Sequence, residues 1–70
     1  MRYDLENRLK EIRAAKEKQQ GEIAAYAGLS CRTYMRYEKG AVPNLASAMQ
    51  IADALGIENL RDIWTYKNPH

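Results

Sequence analysis

The sequence predicts an all-α fold, a compact bundle of five short helices, and three observations support this. Apolar residues recur every three or four positions, which is the period of a helix with one buried face. No segment shows the strict alternation of a half-buried strand. Glycine, proline and capping residues interrupt the periodic segments at short intervals. The 70 residues are expected to form one domain with its core within about 5–64.

The first helix is predicted to begin near Asp4 and to end near Lys16 or Lys18. Asp4 and Glu6 favour this start because the N-terminal end of a helix dipole is positive. Its buried stripe consists of apolar residues spaced four and three apart, namely Leu5, Leu9 and Ile12. Polar and charged residues fill the opposite face.

The second and third helices are predicted to be joined by a tight turn at Gly28. The second runs from Gln20 to Ala27, and Gly28 ends it because glycine adopts the left-handed conformation without a steric penalty. Ser30 is a good N-cap for the third helix, which extends to about Glu38. Two helices joined in this way form a helix-turn-helix unit.

The third helix has two different faces. On one side lie Thr33, Tyr34 and Tyr37. We expect the two tyrosines to pack in the core rather than to stack on the bases of a single strand. The opposite side carries a set of residues that the core leaves free, namely Cys31, Arg32, Met35 and Arg36. This free side is the candidate binding surface of the helix.

The fourth helix is predicted to begin after Pro43, with Asn44 as its N-cap, and to end at Gly56. Its apolar stripe is Leu45, Ala48, Met49, Ala52 and Leu55.

Asn59 and Asp62 resemble a capping pair for a fifth helix that presents Leu60, Ile63 and Trp64. These three residues either cover the core or contact a second subunit. Residues 65–70 are expected to form a frayed tail.

The charge of the chain is unevenly distributed. The net charge is only +2, which does not by itself indicate nucleic-acid binding. The third helix and its C-terminal end contain Arg32, Arg36 and Lys39 against a single acidic residue, Glu38. The sequence therefore predicts a local basic patch on a nearly neutral domain.

Composition argues against several function classes. The sequence contains no nucleophile–base pair and no glycine-rich phosphate loop, so we do not expect an enzyme. Cys31 is the only cysteine and His70 the only histidine, so we expect no internal disulfide, no metal and no cofactor. We interpret Cys31 as an ordinary small side chain, although its position in the first helical turn leaves a redox role open. Without a signal peptide or membrane span in the sequence, a cytoplasmic protein is expected.

From about Arg8 to Trp64 the sequence resembles the phage repressor and Cro-type helix-turn-helix domains, also called the xenobiotic-response-element family of bacterial regulators. Six short landmarks in order carry the resemblance: Leu9-Lys-Glu-Ile-Arg13, Gln20-x-x-Ile-Ala24, Gly28-Leu-Ser30, Tyr37-Glu-Lys-Gly40, Pro43-Asn-Leu45 and Ile51-Ala-x-Ala-Leu-Gly56. The resemblance implies a five-helix bundle of the lambda-repressor type. It also implies that residues 30–38 form a recognition helix in the major groove of double-stranded DNA, often in a homodimer on inverted half-sites.

The resemblance implies roles for individual residues. The positions that usually read bases correspond to Cys31, Arg32 and Arg36, with Met35 adjacent. Because arginine suits the N7 and O6 edge of guanine, we expect a guanine in each half-site.

A second group of residues is expected at the DNA backbone or in a brace. The expected phosphate-binding residues are Gln20, Lys39, Arg13 and Asn44. The resemblance also implies that Arg13 pairs with Glu38, either as a brace between the first and third helices or as a surface ion pair of little energetic value.

The chain also departs from the family pattern. A glycine and an apolar residue usually precede the glutamine that begins the second helix, whereas this chain has Glu17, Lys18 and Gln19. Gln19 is a poor N-cap, so the second helix is expected to begin less firmly. The loop of Ala41 and Val42 is short and lacks basic residues.

The most direct functional hypothesis is a small DNA-binding transcriptional regulator, most simply a repressor. It would act as a homodimer on DNA, with the C-terminal helix as a candidate contact. The alternative is an antitoxin or a mobile-element control protein whose main partner is another protein. The few residues after Trp64 are too short for a toxin-binding tail, which favours the regulator.

Overall fold

The structure, a computed structural model, describes residues 4–67. These residues form four α-helices: α1 (Leu9–Ala15), α2 (Gln20–Tyr26), α3 (Cys31–Glu38) and α4 (Leu45–Leu55). Two short strands, β1 (Leu5–Asn7) and β2 (Trp64–Tyr66), precede and follow the helices, and one 3-10 turn (Leu60–Asp62) leads into β2.

The two strands correct the predicted all-α, five-helix architecture. β1 and β2 pair antiparallel, with Leu5 opposite Tyr66 and Asn7 opposite Trp64. The spacing of Leu5 and Leu9 fits one helical turn, but it equally fits two positions on one face of a strand. The pairing partner lies at the far end of the sequence, so the local period could not distinguish the two structures.

The first helix begins later than the sequence predicts. α1 starts at Leu9 instead of Asp4, because the Asn7 side-chain oxygen accepts the Leu9 N–H at 3.0 Å while residues 5–7 pair with β2. The Arg8 N–H donates to the Ile63 carbonyl oxygen at 2.9 Å, which extends the attachment to the C-terminal segment. The helix ends at Ala15.

The helix-turn-helix formed by α2 and α3 confirms the prediction. Gly28 adopts the left-handed conformation with φ of 73°, and the Ser30 side-chain oxygen accepts the Thr33 N–H at 3.1 Å to cap α3. At the start of α2, the Glu22 carboxylate accepts the Gln19 N–H at 2.7 Å. This bond helps to fix the helix start that the identity of Gln19 leaves weak.

The fourth helix has the predicted ends but a different buried face. Asn44 caps it by accepting the Ser47 N–H at 2.8 Å, and Gly56 ends it with φ of 72°. Leu45 and Met49, both predicted to be buried, are exposed. The residues of α4 that are buried are Ala48, Ile51, Ala52 and Leu55.

The predicted fifth helix is only the 3-10 turn. Asn59 does cap it, since its side-chain oxygen accepts the Arg61 N–H at 2.9 Å. The chain then turns into β2 because Ile63 and Trp64 enter the core, and the strand continues through Thr65 and Tyr66. The expected frayed tail is therefore wrong for the residues that β2 contains, and residues 68–70 lie outside the described part.

The core lies between the helices and the sheet. Its largest fully buried side chains come from α1, α2, α3, α4 and the segment before β2: Leu9, Ile23, Tyr34, Ile51, Leu55 and Ile63. Trp64 is also buried, which agrees with the core-covering alternative.

Candidate nucleic-acid interface

The α3 helix is anchored by one face and presents the other to solvent. Tyr34 is fully buried and Tyr37 half-buried, which confirms the predicted core side. Of the four candidate base-reading residues, Cys31, Arg32 and Arg36 are exposed and Met35 is half-buried. The structure therefore brings all four to the outward half of one helix, as the sequence predicts.

The positive charges of this surface have no acidic partner in the part of the chain that the structure describes. Within residues 4–67, neither Arg32 nor Arg36 forms an ion pair, and the same is true of Lys39 just after the helix. A guanidinium group carries five N–H donors and no acceptor. The exposed side of α3 therefore offers unpaired donors to an anionic or acceptor-rich ligand.

Both ends of α3 are held in place. At the N-terminal end the Ser30 cap is reinforced by a 2.8 Å hydrogen bond between the hydroxyl groups of Ser30 and Thr33. At the C-terminal end, the Asn7 side-chain amide donates to the Tyr37 carbonyl oxygen at 2.9 Å. The first bond stabilises the start of the helix, and the second attaches the end of the helix to β1.

A charged brace joins α1 to α3. Arg13 donates to both carboxylate oxygens of Glu38, from Nε at 2.6 Å and from Nη2 at 3.3 Å. Only 14% of the Arg13 side chain and 6% of the Glu38 side chain are exposed. This shielded, bidentate geometry supports the brace rather than the surface ion pair, because exposed ion pairs contribute little to the free energy of folding.

The same carboxylate also holds α2. The Gln20 side-chain amide donates to Glu38 Oε1 at 3.0 Å, so three helices meet at one side chain. Burial raises the pKa of Glu38, but the hydrogen bonds from Arg13 and Gln20 outweigh it and lower the pKa below the ordinary value. The hydrogen bond to Glu38 raises the pKa of Arg13. Glu38 is therefore ionised at neutral pH and orients both partners.

The expected phosphate-binding residues occupy different settings. Asn44 uses its side-chain oxygen to cap α4, which leaves its amide group as a donor. Lys39 is exposed directly after α3. Gln20 is half-buried and shares its amide with Glu38, and Arg13 donates to Glu38 and to the Lys18 carbonyl oxygen. The structure thus places two of them at the surface and two in the brace.

Sequence reasoning missed two features of this site. It assigned Gln20 only to the DNA backbone and not to Glu38, and it assigned no role to Asn7. Asparagine two positions before the first buried leucine of α1 is a capping signal, which could have indicated the helix start. The contact of Asn7 with α3 has no local signal, because Tyr37 lies 30 residues away.

Residues 4–67 contain neither a metal-ligand group nor a helix suited to span a membrane. These residues hold no group of three histidine, cysteine or acidic side chains placed to bind a metal ion. None of their helices is long and apolar enough to cross a membrane.

Comparison with protein families identifies a match that covers most of the chain. A family model described as Helix-turn-helix matches residues 9–61, from the start of α1 to the 3-10 turn. The matched region contains the brace and every residue expected to contact DNA. No curated protein matches the chain.

Proposed function

The chain belongs to the Cro/C1-type helix-turn-helix family of DNA-binding transcription regulators, and on this premise we propose that it binds specific double-stranded sequences as a repressor. The recognition helix α3 enters the major groove, and the bound protein blocks access to a promoter. Such families are regulatory and generally without enzymatic activity. We also propose a cytoplasmic location.

One observation carries this proposal. Arg32 and Arg36 lie one helical turn apart on the exposed side of α3, without acidic partners in the described residues, while Tyr34 fixes the opposite side in the core. A solvated surface helix would not require its C-terminal end to be held by side-chain hydrogen bonds from other segments, as Asn7 and Arg13 hold the end of α3. A helix held in a fixed position is what base recognition needs.

The exposed face divides into base-reading and backbone-binding residues. We assign base contacts to Cys31, Arg32, Met35 and Arg36, with each arginine able to donate two hydrogen bonds to guanine. Contacts to phosphate are assigned to Lys39, Asn44, Gln20 and Arg13. Phosphate contacts position the protein, and base contacts give specificity.

The proposed regulator acts as a homodimer on an inverted repeat. Two copies related by a two-fold axis present two α3 helices to successive turns of the same groove, about 34 Å apart. Sequence symmetry in the target is therefore an expected property.

The test is a binding selection from a randomised duplex library. Wild-type protein is compared with Arg32→Ala, Arg36→Ala and the control Arg8→Ala, which removes the same charge from an exposed arginine outside α3. We expect the wild type and the control to enrich one inverted repeat. Each α3 variant should lose preference at one position per half-site, at a cost of about 1–3 kcal/mol.

Two results would contradict the proposal. If the wild type enriches no sequence, the alternative of an antitoxin or mobile-element control protein with a protein partner becomes the better explanation. If all three variants weaken binding equally, the arginines of α3 supply only charge and do not read bases.

A further inference from the structure

The outward half of α3 carries two kinds of side chain on two neighbouring edges. Residues four apart in a helix lie one above the other on the same edge, about one turn apart. Arg32 and Arg36 form one edge, and their guanidinium groups donate hydrogen bonds. Cys31 and Met35 form the other, which we call the sulfur edge of α3.

The sulfur edge is poorly suited to hydrogen bonding. The thiol of Cys31 is a weak donor, and the thioether of Met35 is a weak acceptor without a donor. Met35 also carries no charge, so it cannot neutralise a phosphate group as lysine or arginine does. A contact between Met35 and DNA is therefore an apolar contact.

Met35 is not needed to fill the core. The half-buried apolar side chains that pack against the core of residues 4–67 include Tyr37 of the same helix but not Met35. Met35 is nevertheless only half-buried, and Cys31 beside it is exposed. Because methionine is flexible and fits surfaces of irregular shape, the part that solvent reaches is available to a binding partner.

The major groove offers an apolar side chain one favourable target. Guanine, adenine and cytosine present hydrogen-bonding groups there, whereas thymine presents a C5-methyl group in addition to its oxygen. An apolar side chain that covers a donor or acceptor removes water from it and supplies no replacement, which costs free energy. Contact with the methyl group has no such cost, so Met35 favours thymine over the other three bases.

We propose that Met35 makes DNA binding depend on the C5-methyl group of a thymine in each half-site, while Arg32 and Arg36 read guanine. This inference rests on the proposed function. It adds a second base, and a second kind of contact, to the sequence that the protein selects. Cys31 extends the apolar contact towards the N-terminal end of α3.

The test removes single methyl groups from the DNA. Deoxyuridine differs from thymidine only in lacking the C5-methyl group, so the exchange leaves base pairing intact. In the inverted repeat that the library selection enriches, each thymine is replaced in turn together with its symmetry mate, and fluorescence anisotropy measures the affinity. We expect one of these replacements to weaken binding by the wild type about fourfold per half-site, which is the effect of one buried methyl group.

Two variants of Met35 distinguish an apolar contact from a general effect of the exchange on the DNA. Met35→Leu keeps an apolar side chain of similar size and should keep the dependence on the methyl group. Met35→Gln keeps the length of the side chain but ends in a polar amide, so it should bind the thymine and uracil duplexes with nearly equal affinity. Leucine and glutamine are both good helix formers, so α3 should remain folded, and circular dichroism checks this.

Met49→Gln is the matched control. Met49 is an exposed methionine that lies on α4 and not on α3. This variant should keep the wild-type ratio of the affinities for the thymine and uracil duplexes. Because the measured quantity is a ratio, an effect of either variant on stability changes both affinities alike and cancels.

Three results would overturn the inference: an enriched half-site without thymine, a wild type that no single replacement weakens, or a Met35→Gln variant that keeps the wild-type ratio. Each of them requires an enriched sequence, so each leaves the proposed function intact. A selection that enriches no sequence contradicts the proposed function, and this inference with it.

Discussion

At the scale of single residues, Glu38 is the side chain on which the arrangement of the helices depends most. Its carboxylate accepts hydrogen bonds from α1 and α2 while it belongs to α3. A carboxylate shielded to this degree is stable only with its partners, and removal of one partner leaves the other charge poorly compensated. Arg8 and Glu11 form an exposed ion pair, with 3.4 Å between Arg8 Nε and Glu11 Oε1. This pair provides a comparison for the stability that the shielded pair contributes.

We expect Glu38→Gln to lower the free energy of unfolding by about 2 kcal/mol, because the shielded Arg13 loses its counter-charge. Glu11→Gln is the control: its side chain is 70% exposed, and its loss should cost less than about 1 kcal/mol. Urea unfolding followed by circular dichroism measures both. Equal costs for the two variants would show that the brace is no stronger than a surface pair.

The same pair predicts a pH dependence. The folded state lowers the pKa of Glu38, so its contribution is complete above the ordinary carboxyl pKa of about 4.3 and is lost as pH falls through the lower folded value. The stability difference between wild type and Glu38→Gln should therefore shrink in acid. A difference that stays constant from neutral pH to about pH 2 would contradict this.

Glu17 shows how one residue explains a departure from the family pattern. It is the one non-glycine residue of the described chain with a left-handed backbone, at φ of 56°, and the family usually has a glycine in this stretch. The sequence shows that a glutamate stands where the family usually has a glycine. It does not show the free-energy cost of that glutamate, because the cost depends on the backbone conformation.

We expect Glu17→Gly to raise the free energy of unfolding by about 1 kcal/mol, because glycine adopts this conformation without a clash of its side chain. Glu58→Gly is a suitable control, since Glu58 is also an exposed glutamate between regular elements but lacks a left-handed backbone. Glu58→Gly should not raise the free energy of unfolding, which thermal unfolding measures for both variants. A gain of the same size in both variants would remove the conformational explanation.

At the scale of elements, α2, α3 and α4 were predictable from the sequence. The sheet, the late start of α1 and the 3-10 turn in place of a fifth helix were not. Capping at Ser30 and Asn44 and the left-handed turns at Gly28 and Gly56 are local chemistry, and they lie where the sequence places them. β1 and β2 depend on each other across the length of the chain, and three residues are too few to show a strand period. The predicted burial of Leu45 and Met49 is wrong because period alone cannot say how wide the covered stripe of a helix is.

The contact between β1 and α3 can be tested at Asn7. Asn7→Asp keeps an oxygen to accept the Leu9 N–H but replaces the donor to the Tyr37 carbonyl with a second oxygen. We expect the free energy of unfolding, measured in urea, to fall by about 1–2 kcal/mol, because the part-buried Tyr37 carbonyl oxygen loses its donor.

Asn59→Asp is the control for this prediction. Asn59 also accepts a backbone N–H, but no donor bond from its amide is present in the described chain. Asn59→Asp should therefore change the stability of the protein little. If both asparagine variants behave alike, the bond from Asn7 to α3 contributes nothing measurable.

At the scale of the whole molecule, function depends on where charge is placed rather than on how much there is. The net charge of +2 is small, yet three cations without an ion-pair partner among residues 4–67 lie on or beside α3: Arg32, Arg36 and Lys39. The sequence predicted this basic patch because it depends on one helix. It could not predict the groove between α4 and the sheet, which Leu45 and Tyr66 border, because that groove exists only once the distant strands pair.

Binding to DNA should weaken steeply with salt, because each neutralised phosphate releases condensed counterions. We expect Lys39→Ala to reduce the slope of log affinity against log salt by about one per chain while leaving sequence preference unchanged. Fluorescence anisotropy at several salt concentrations measures the slope. Lys10→Ala removes an exposed lysine from α1 and should leave the slope as it is, and a flat response of the wild type would contradict DNA binding.

The pairing of β1 with β2 has a consequence for the covalent design of the chain. The Lys67 N–H donates to the Asp4 carbonyl oxygen at 2.8 Å, so positions 4 and 67 lie side by side. A short peptide linker could join them into a circular backbone without disturbing the helices. Such a ring could be reopened in an exposed loop to give a chain with new termini. If it is instead left closed, its unfolded state has less conformational freedom, so the ring should be more stable than the linear chain.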